Sequence, residues 1–144
     1  MDQLAWMKSM EGKPFSTSPS PFMHWLKPVI VKAGKGSLTF RYTVRKDMTN
    51  PIGILHGGVT AAIIDDLMGA TLFSLNEAEF FTTINNVIDY FASARPGDEI
   101  IAETQIIKKG KTIANMQCEV WLADKSKMIA RGYSNLTKLE PRNP

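Results

Sequence analysis

Residues 56–65 read His-Gly-Gly-Val-Thr-Ala-Ala-Ile-Ile-Asp, a pattern that predicts a loop turning into a buried helix. Gly57 and Gly58 stand at the N-terminal end of that helix, where backbone N–H groups have no intrahelical partner and the helix dipole is positive. Glycines allow a substrate carbonyl to approach this backbone closely. Asp65 adds a carboxylate to an otherwise apolar stretch. Together these groups supply the oxyanion donors and the base or nucleophile that acyl-transfer chemistry requires.

The same stretch also fits a purely structural interpretation. Two glycines before a helix often form only a tight turn, and Asp65-Asp66 is compatible with a solvated helix face. Asp65 shares a face with Gly58, because the seven positions between them are close to two helical turns. Asp66 is rotated by about 100° from Asp65, so we expect Asp65 to be the carboxylate that points into a site.

The surrounding pattern predicts the fold class. Apolar positions recur at helical spacing from about residue 57 to 74, and residues 38–44 alternate in the manner of a half-buried strand. Further strands are predicted near residues 81–92, 99–108, 111–123 and 127–139, with a hairpin turn at Lys108–Lys111. One strand, one long helix and four consecutive strands indicate an α+β fold, in which an antiparallel sheet wraps one central helix. Small helix residues, Gly69 among them, favour close packing against a flat surface.

The N-terminal part of the chain carries weaker signals. Residues 2–10 fit a short amphipathic helix capped by Asp2, and residues 11–22, rich in proline and serine, fit a loop. We therefore assign residues 1–35 to an N-terminal helix/loop extension and residues 36–144 to the main domain of a single-domain protein.

Composition narrows the classes of function. The 144 residues are 44% hydrophobic and 22% charged, and the formal net charge of +3 is too mild to indicate nucleic-acid binding. Cys118 is the single cysteine, and His24 and His56 are the two histidines, which argues against a zinc cluster or a multi-histidine metal centre. We recognise neither a signal peptide nor a membrane span, so we expect a cytoplasmic protein without a membrane partner.

The sequence resembles the hotdog-fold acyl-CoA thioesterases, in particular the phenylacetic-acid-pathway (PaaI-like) branch. The matching features are Asn50, the run from Gly53 to Gly58, Asp65 and the order of elements, and the resemblance extends from about residue 38 to 136. It implies hydrolysis of an acyl-CoA substrate with no metal or other cofactor. It also implies a homodimer, which in this family often pairs into a tetramer.

The resemblance implies a role for each matching residue. Gly57 would donate its backbone N–H to the thioester carbonyl oxygen, and Asp65 of the neighbouring subunit would act as general base or nucleophile. Asn50 would orient the water or the thioester, His56 would brace the loop, and Thr83 would help to hold the lytic water. Ordinary explanations exist for the last three, since Asn50 precedes a proline, His56 can bond to backbone, and threonine suits any strand.

Substrate contacts are predicted outside the reacting centre. Gly58 would allow close approach, and the basic residues Lys109, Lys111 and Arg95 would attract the phosphates of coenzyme A. By default, however, the lysines form a solvated hairpin tip. Asn85-Asn86 directs one amide to each face of its strand, so that one amide lines the acyl tunnel or pairs across subunits.

Two other functions fit the same fold. A hotdog hydratase or dehydratase uses a histidine with a carboxylate, and only His56 is available near the site. A non-catalytic module would bind acyl-CoA or lipid without turnover. The acyl group is left open between aryl and aliphatic.

Overall fold

The computed structural model describes residues 2–140, and its secondary structure follows the predicted order with two additions. The helices and strands of these residues, in chain order, are α1 (Gln3–Ser9), α2 (Pro21–Leu26), β1 (Val29–Gly34), β2 (Ser37–Thr43), α3 (Gly57–Phe73), β3 (Phe81–Tyr90), β4 (Glu99–Lys109), β5 (Ile113–Leu122) and β6 (Met128–Lys138). A short 3₁₀ turn covers Lys46–Met48.

The six strands form one antiparallel sheet in the order β1-β2-β4-β5-β6-β3. Helix α3 connects β2 to β3 and contacts β2, β3, β4, β5 and β6. The predicted α+β architecture, with an antiparallel sheet around one long helix, is therefore confirmed. Strand β3 lies at one edge of the sheet, paired with β6, and this position matters for the site.

The core lies between α3 and the concave face of the sheet. Ile63, Ile64 and Leu67 of α3 are fully buried, as are Leu38 and Phe40 of β2. Alternation along β2 buries every second residue, which is why this strand was readable from the sequence.

Close contact between helix and sheet depends on a glycine of β6. A Cβ atom added at Gly132 would lie 3.1 Å from Cγ2 of Ile64. That distance is tighter than ordinary packing, so a larger residue would push α3 away from the sheet.

The sequence pattern did not predict α2 or β1. In β1 the buried residues Ile30 and Ala33 lie three positions apart, because the register shifts between Ile30 and Lys32. A bulge of this kind breaks the alternation that identifies a strand. Helix α2 begins inside the predicted loop, and its signal was Ser20 followed by Pro21, an N-cap before a proline at the first helical position.

The N-terminal helix predicted over residues 2–10 is confirmed, since α1 begins after Asp2 and the Asp2 side chain accepts a hydrogen bond from the Ala5 N–H. Strand β1 falls within the segment 1–35 and joins the common sheet. The division at residue 35 stays a prediction, and residues 141–144 of the predicted domain lie outside the described residues.

Within residues 2–140, none of the helices combines the length and hydrophobicity of a transmembrane span.

Candidate active site

Asp65 lies on the side of α3 that faces β3, and two side chains of that strand hold its carboxylate. Thr83 Oγ1 donates to Asp65 Oδ1 over 2.6 Å, and Asn86 Nδ2 donates to the same oxygen over 3.1 Å. Ser134 of β6 in turn donates its hydroxyl to Asn86 Oδ1. The other oxygen, Oδ2, accepts no hydrogen bond from the described side chains. Asp65 is therefore anchored through one oxygen and free at the other.

A β-bulge explains how both donors reach Asp65. Residues three positions apart in a regular strand point to opposite faces. The pairing of β3 with β6 shifts register between Thr83 and Asn85, so that Thr83 and Asn86 both face the helix. Asn85 instead bonds to Asn135. The Asn pair was expected to divide between the two faces, but the pattern did not identify Asn86 as the Asp65 partner, because nothing in the sequence marks the bulge.

The N-terminal end of α3 is organised by His56. Its Nδ1 accepts a hydrogen bond from the Gly58 N–H over 2.8 Å, so the ring caps the helix. A Cβ atom at Gly58 would lie 3.0 Å from that nitrogen, and glycine is needed for this close approach. The N–H of Gly57 donates to no acceptor within residues 2–140. The helix start thus presents one free amide donor at its positive end.

Tyr90 ties this helix start to the far end of β3. Its hydroxyl donates to the Gly57 carbonyl oxygen over 2.7 Å. On the other side, the Leu55 N–H donates to the Ala94 carbonyl over 2.8 Å. The loop before α3 is therefore held on both sides, although no sequence signal pointed to Tyr90.

Asn50 uses its side-chain oxygen within its own loop. Asn50 Oδ1 accepts hydrogen bonds from the N–H groups of Ile52 and Ile54, over 3.1 and 3.3 Å. This is the geometry of a turn former. The turn interpretation therefore accounts for the side-chain oxygen, and the role of Asn50 toward water or thioester stays a prediction.

Asp66 points away from Asp65, toward the N-terminal segment. Its Oδ1 accepts a hydrogen bond from Ser20 Oγ over 3.1 Å, and its buried Oδ2 has no hydrogen-bond partner among residues 2–140. Burial raises the pKa of Asp66 above its usual value of 3.8, the Ser20 hydrogen bond opposes that shift, and the nearby Asp65 charge adds to it.

The predicted phosphate-binding residues lie at opposite ends of β3. The hairpin at Lys108–Lys111 is confirmed, with the Gly110 N–H donating to the Ile113 carbonyl. Lys109 forms an ion pair of 2.6 Å with Glu77, and its Nζ lies 5.6 Å from the ring centroid of Phe81, where β3 begins.

Lys111 and Arg95 are exposed. Arg95 follows Ala94, so it lies beside the loop that leads into α3. Within one chain, the two predicted groups of cations therefore do not converge on one place.

Thr83 and Asp65 are thus in direct contact, whereas Gly57 and Asp65 are not. The eight positions between these two residues correspond to about 12 Å along the axis of α3. An oxyanion donor and a carboxylate that far apart on one helix do not meet a single carbonyl group. One chain therefore holds two candidate half-sites, one built around Asp65 and the other around Gly57.

Comparison with known proteins identifies the class. The family model of the thioesterase superfamily matches residues 52–129, which include the Gly57 and Asp65 half-sites. The chain therefore belongs to the thioesterase superfamily, and it is a thioester hydrolase. The predicted resemblance is confirmed.

Individual relatives agree with this assignment. Acyl-coenzyme A thioesterase 13 of Mus musculus is 30% identical over 106 residues, covering 74% of this chain and 76% of the mouse protein. The structure of the E. coli PaaI protein from the phenylacetic acid degradation operon superposes with a TM-score of 0.81 at 18% identity, over 96% of each chain.

A Streptococcus mutans protein, smu.793, bound to acetyl CoA, has a TM-score of 0.74 at 20% identity, over 81% of this chain and 92% of that one. At these identities the structural matches establish the hotdog fold, as the resemblance predicted.

Proposed function

We propose that the protein hydrolyses acyl-CoA thioesters to the free acid and coenzyme A, at sites shared between two subunits. The observation that carries this proposal is the Asp65 carboxylate, fixed at Oδ1 by Thr83 and Asn86 and free at Oδ2. The name of the mouse relative and the acetyl CoA in the Streptococcus structure support coenzyme A esters as the substrate class.

The chemistry follows from the two half-sites. Water, activated by Asp65 as general base, adds to the thioester carbonyl, or Asp65 itself adds as nucleophile and water cleaves the resulting anhydride. In both routes negative charge develops on the carbonyl oxygen, and the free Gly57 N–H at the helix start is suited to stabilise it. In both routes the tetrahedral intermediate expels the coenzyme A thiolate, which takes up a proton, and in the nucleophilic route this step forms the anhydride that water then cleaves.

The edge strand β3 supports a dimer that would bring the half-sites together. Its free edge carries no further strand within residues 2–140. Ile84 and Val87 along it and Phe91 directly after it are each more than half exposed. An exposed apolar edge strand is a ready surface for pairing with a second copy. Such a pairing would be two-fold symmetric and would create two equivalent sites.

The positions of the half-sites along β3 agree with this arrangement. Asp65 is bonded to Thr83 near one end of the strand, and Gly57 is bonded to Tyr90 at the other, roughly 23 Å away. A two-fold axis close to Asn86 and Val87, midway between them, would set Tyr90 of the second copy opposite Thr83. Gly57 of that copy would then face Asp65 of this chain.

The same pairing would bring the predicted coenzyme A contacts together. Arg95 lies near the Gly57 end of β3, whereas Lys109 and Lys111 lie near the Phe81 end. In the antiparallel dimer, Arg95 of one copy approaches the hairpin of the other, and Gly58 lies at the same junction. We therefore propose these four residues as coenzyme A contacts, with Lys109 exchanging Glu77 for a phosphate.

Pairing of two dimers into a tetramer remains a proposal from the family resemblance, as does a cytoplasmic location.

The alternatives receive less support from the geometry. The hydratases of this fold use a histidine that acts on the substrate, whereas His56 serves as the cap of α3, with Nδ1 accepting the Gly58 N–H. A non-catalytic binding module needs no carboxylate held by two donors. Asn50 and His56 are accordingly proposed as residues that support the loop next to the reacting carbonyl.

The test is thiol release from acyl-CoA by the wild-type protein and by Asp65→Asn. Loss of the base or nucleophile is expected to lower kcat by about 10²- to 10⁴-fold. Asp124→Asn, an isosteric change in the exposed β5–β6 turn, is the control and should hydrolyse at the wild-type rate. Undiminished hydrolysis by Asp65→Asn would refute the assignment of Asp65, and tight binding of acyl-CoA by the wild type without thiol release would favour the binding module.

A further inference from the structure

A cavity of about 490 Å³ opens beside Asp65 and Thr83. Ligand pockets commonly measure about 300 to 1,000 Å³, so this space is large enough for more than a water molecule. Its lining includes Phe73, Phe81 and Leu136, and it contains no lysine or arginine among the described residues. The cavity is therefore an apolar space that begins at the hydrolytic carboxylate.

The N-terminal segment, residues 7–23, closes one side of this cavity through Met7, Phe15 and Met23. The segment lies outside residues 52–129, which the family model matches. This wall is consequently a feature of the chain beyond the matched region.

A hydrogen bond fixes the segment next to the site. Ser20 Oγ donates to Asp66 Oδ1, and Ser20 Oγ also accepts a hydrogen bond from the Met23 N–H as the N-cap of α2. The contact joins the segment to α3 at the residue that follows Asp65. The wall is thus attached to the same helix as the hydrolytic carboxylate.

Gly69 forms the floor of the cavity on α3. A Cβ atom added there would have no neighbour among the described residues within 4 Å, and the helix continues through it without interruption. Glycine weakens a helix interior relative to alanine. The sequence suggested close packing at such small residues, but at Gly69 the structure has open space one helical turn from Asp65.

We propose that Gly69 and the N-terminal segment determine the acyl specificity of the enzyme, by shaping a pocket for an uncharged, apolar acyl group longer than acetyl. The inference rests on the proposed function, because the cavity meets the reacting carbonyl only if Asp65 performs hydrolysis. Phenylalanine and methionine side chains favour burial of apolar atoms. The lysines next to Phe81, Lys109 and Lys138, lie outside the lining and are paired with Glu77 and Glu79. An anionic acyl tail would therefore be buried close to the Asp65 carboxylate without an unpaired cation in the lining, which is unfavourable.

The experiment compares kcat/KM for acetyl-, hexanoyl-, phenylacetyl- and succinyl-CoA. The wild type is expected to favour the hexanoyl and phenylacetyl esters over the other two. Gly69→Leu places a side chain in open space, so folding should be preserved. The ratio of hexanoyl to acetyl kcat/KM should fall about tenfold or more, because the leucine side chain fills volume that only the longer acyl group occupies.

Ala5→Leu is the matched control, since it enlarges an exposed helical alanine outside the cavity. It should reproduce the wild-type profile. An equal loss of activity on all four substrates in Gly69→Leu, or a wild-type preference for acetyl or succinyl, would overturn the inference. Absence of thiol release from every substrate by the wild type would instead refute the proposed function.

Met7→Ala tests the N-terminal wall in the opposite direction. Removing this side chain widens the cavity, so the ratio of decanoyl to hexanoyl kcat/KM should rise, while a thermal unfolding transition verifies the fold. A folded Met7→Ala with an unchanged profile would remove the N-terminal segment from the proposal. Gly69→Leu decides the role of the pocket independently of that result.

Discussion

Asp65 and Asp66 are adjacent in α3 but are held by different parts of the chain. Asp65 accepts hydrogen bonds from β3, through Thr83 and Asn86, whereas Asp66 accepts one from Ser20 of the N-terminal segment. The rotation of about 100° per helical residue separates the two carboxylates and gives them different environments. Asp65 is held at the strand edge through one carboxylate oxygen, whereas Asp66 is buried with one oxygen that has no hydrogen-bond partner among residues 2–140.

Burial of Asp66 predicts a pH-dependent loss of stability. The pKa of Asp66 is raised above 3.8 in the folded protein, chiefly by burial. Below pH 3.8 the group is protonated in both the folded and unfolded states. As the pH rises, the unfolded chain ionises first, so the free energy of unfolding falls until the pH has passed the raised pKa. Asp66→Asn lacks this titration.

The measurement is thermal unfolding of wild type and Asp66→Asn across this pH range. The Tm of the variant relative to wild type should increase as the pH rises above 3.8 and then level off once Asp66 is ionised. If the amide acted only through a pH-independent effect, such as a changed contact at the buried oxygen, the Tm difference between variant and wild type would be the same at every pH. A Tm difference that stays constant with pH would therefore contradict the prediction.

The bond from Thr83 to Asp65 predicts a role in positioning the carboxylate. Thr83→Val keeps the shape of the side chain but removes the donor. A hydrogen bond to a charged group contributes about 1.5 to 3 kcal/mol, so kcat should fall roughly 10- to 100-fold, with a smaller change in KM. Thr83→Ser restores the hydroxyl and should recover most of the rate. Equal kcat values for the valine and serine variants would show that the hydroxyl plays no part.

The sequence predicted the elements whose periodicity is regular. The helix expected over 57–74 ends at Phe73, and the strand expected over 38–44 spans Ser37–Thr43. Both have clean repeats, because each packs one face continuously against the core. The candidate residues His56, Gly57 and Asp65 were identifiable because they lie within such a regular element or at its boundary.

The features that could not be predicted depend on irregular backbone or on distant contacts. The register shift in β1 hid a strand, and the shift after Thr83 turned Asn86 toward Asp65. Alternation alone cannot report where a bulge occurs, since the bulged residue resembles any other strand residue. The contact of Tyr90 with Gly57 joins residues 33 positions apart. The cavity next to Gly69 is closed on one side by the N-terminal segment, which precedes Gly69 by some fifty positions.

The free edge of β3 predicts that a single charge there will separate the subunits. Val87 is 58% exposed and lies near the proposed two-fold axis, so Val87→Lys would bring two like charges close together in the dimer. The variant should sediment as a monomer and lose thiol release, because each chain retains only half-sites. Ile107→Lys is the control, since Ile107 is similarly exposed at 53% but lies on β4. A Val87→Lys protein that remains dimeric and active would exclude this edge as the interface.

The Gly57 N–H can be removed with little backbone strain, because Gly57 is the first residue of α3. Proline is favoured at that position and lacks the N–H, and the extended backbone of His56 is compatible with a following proline. Loss of one oxyanion donor is expected to lower kcat by about 10²- to 10³-fold. Gly57→Ala keeps the N–H, and its Cβ would make only an ordinary contact of 3.4 Å with Tyr90, so it should retain activity.

Mixing variants then tests whether Gly57 and Asp65 act from different subunits. A heterodimer of Gly57→Pro with Asp65→Asn contains one doubly defective site and one intact site. After subunit exchange an equimolar mixture should therefore regain about a quarter of the wild-type activity, since half the dimers are mixed. A mixture of Asp65→Asn with Thr83→Val is the control and should regain nothing beyond the Thr83→Val background, because both changes affect the same half-site. If the first mixture failed to recover while subunit exchange was verified by mass spectrometry, the proposal of a site shared between Gly57 of one subunit and Asp65 of the other would be wrong.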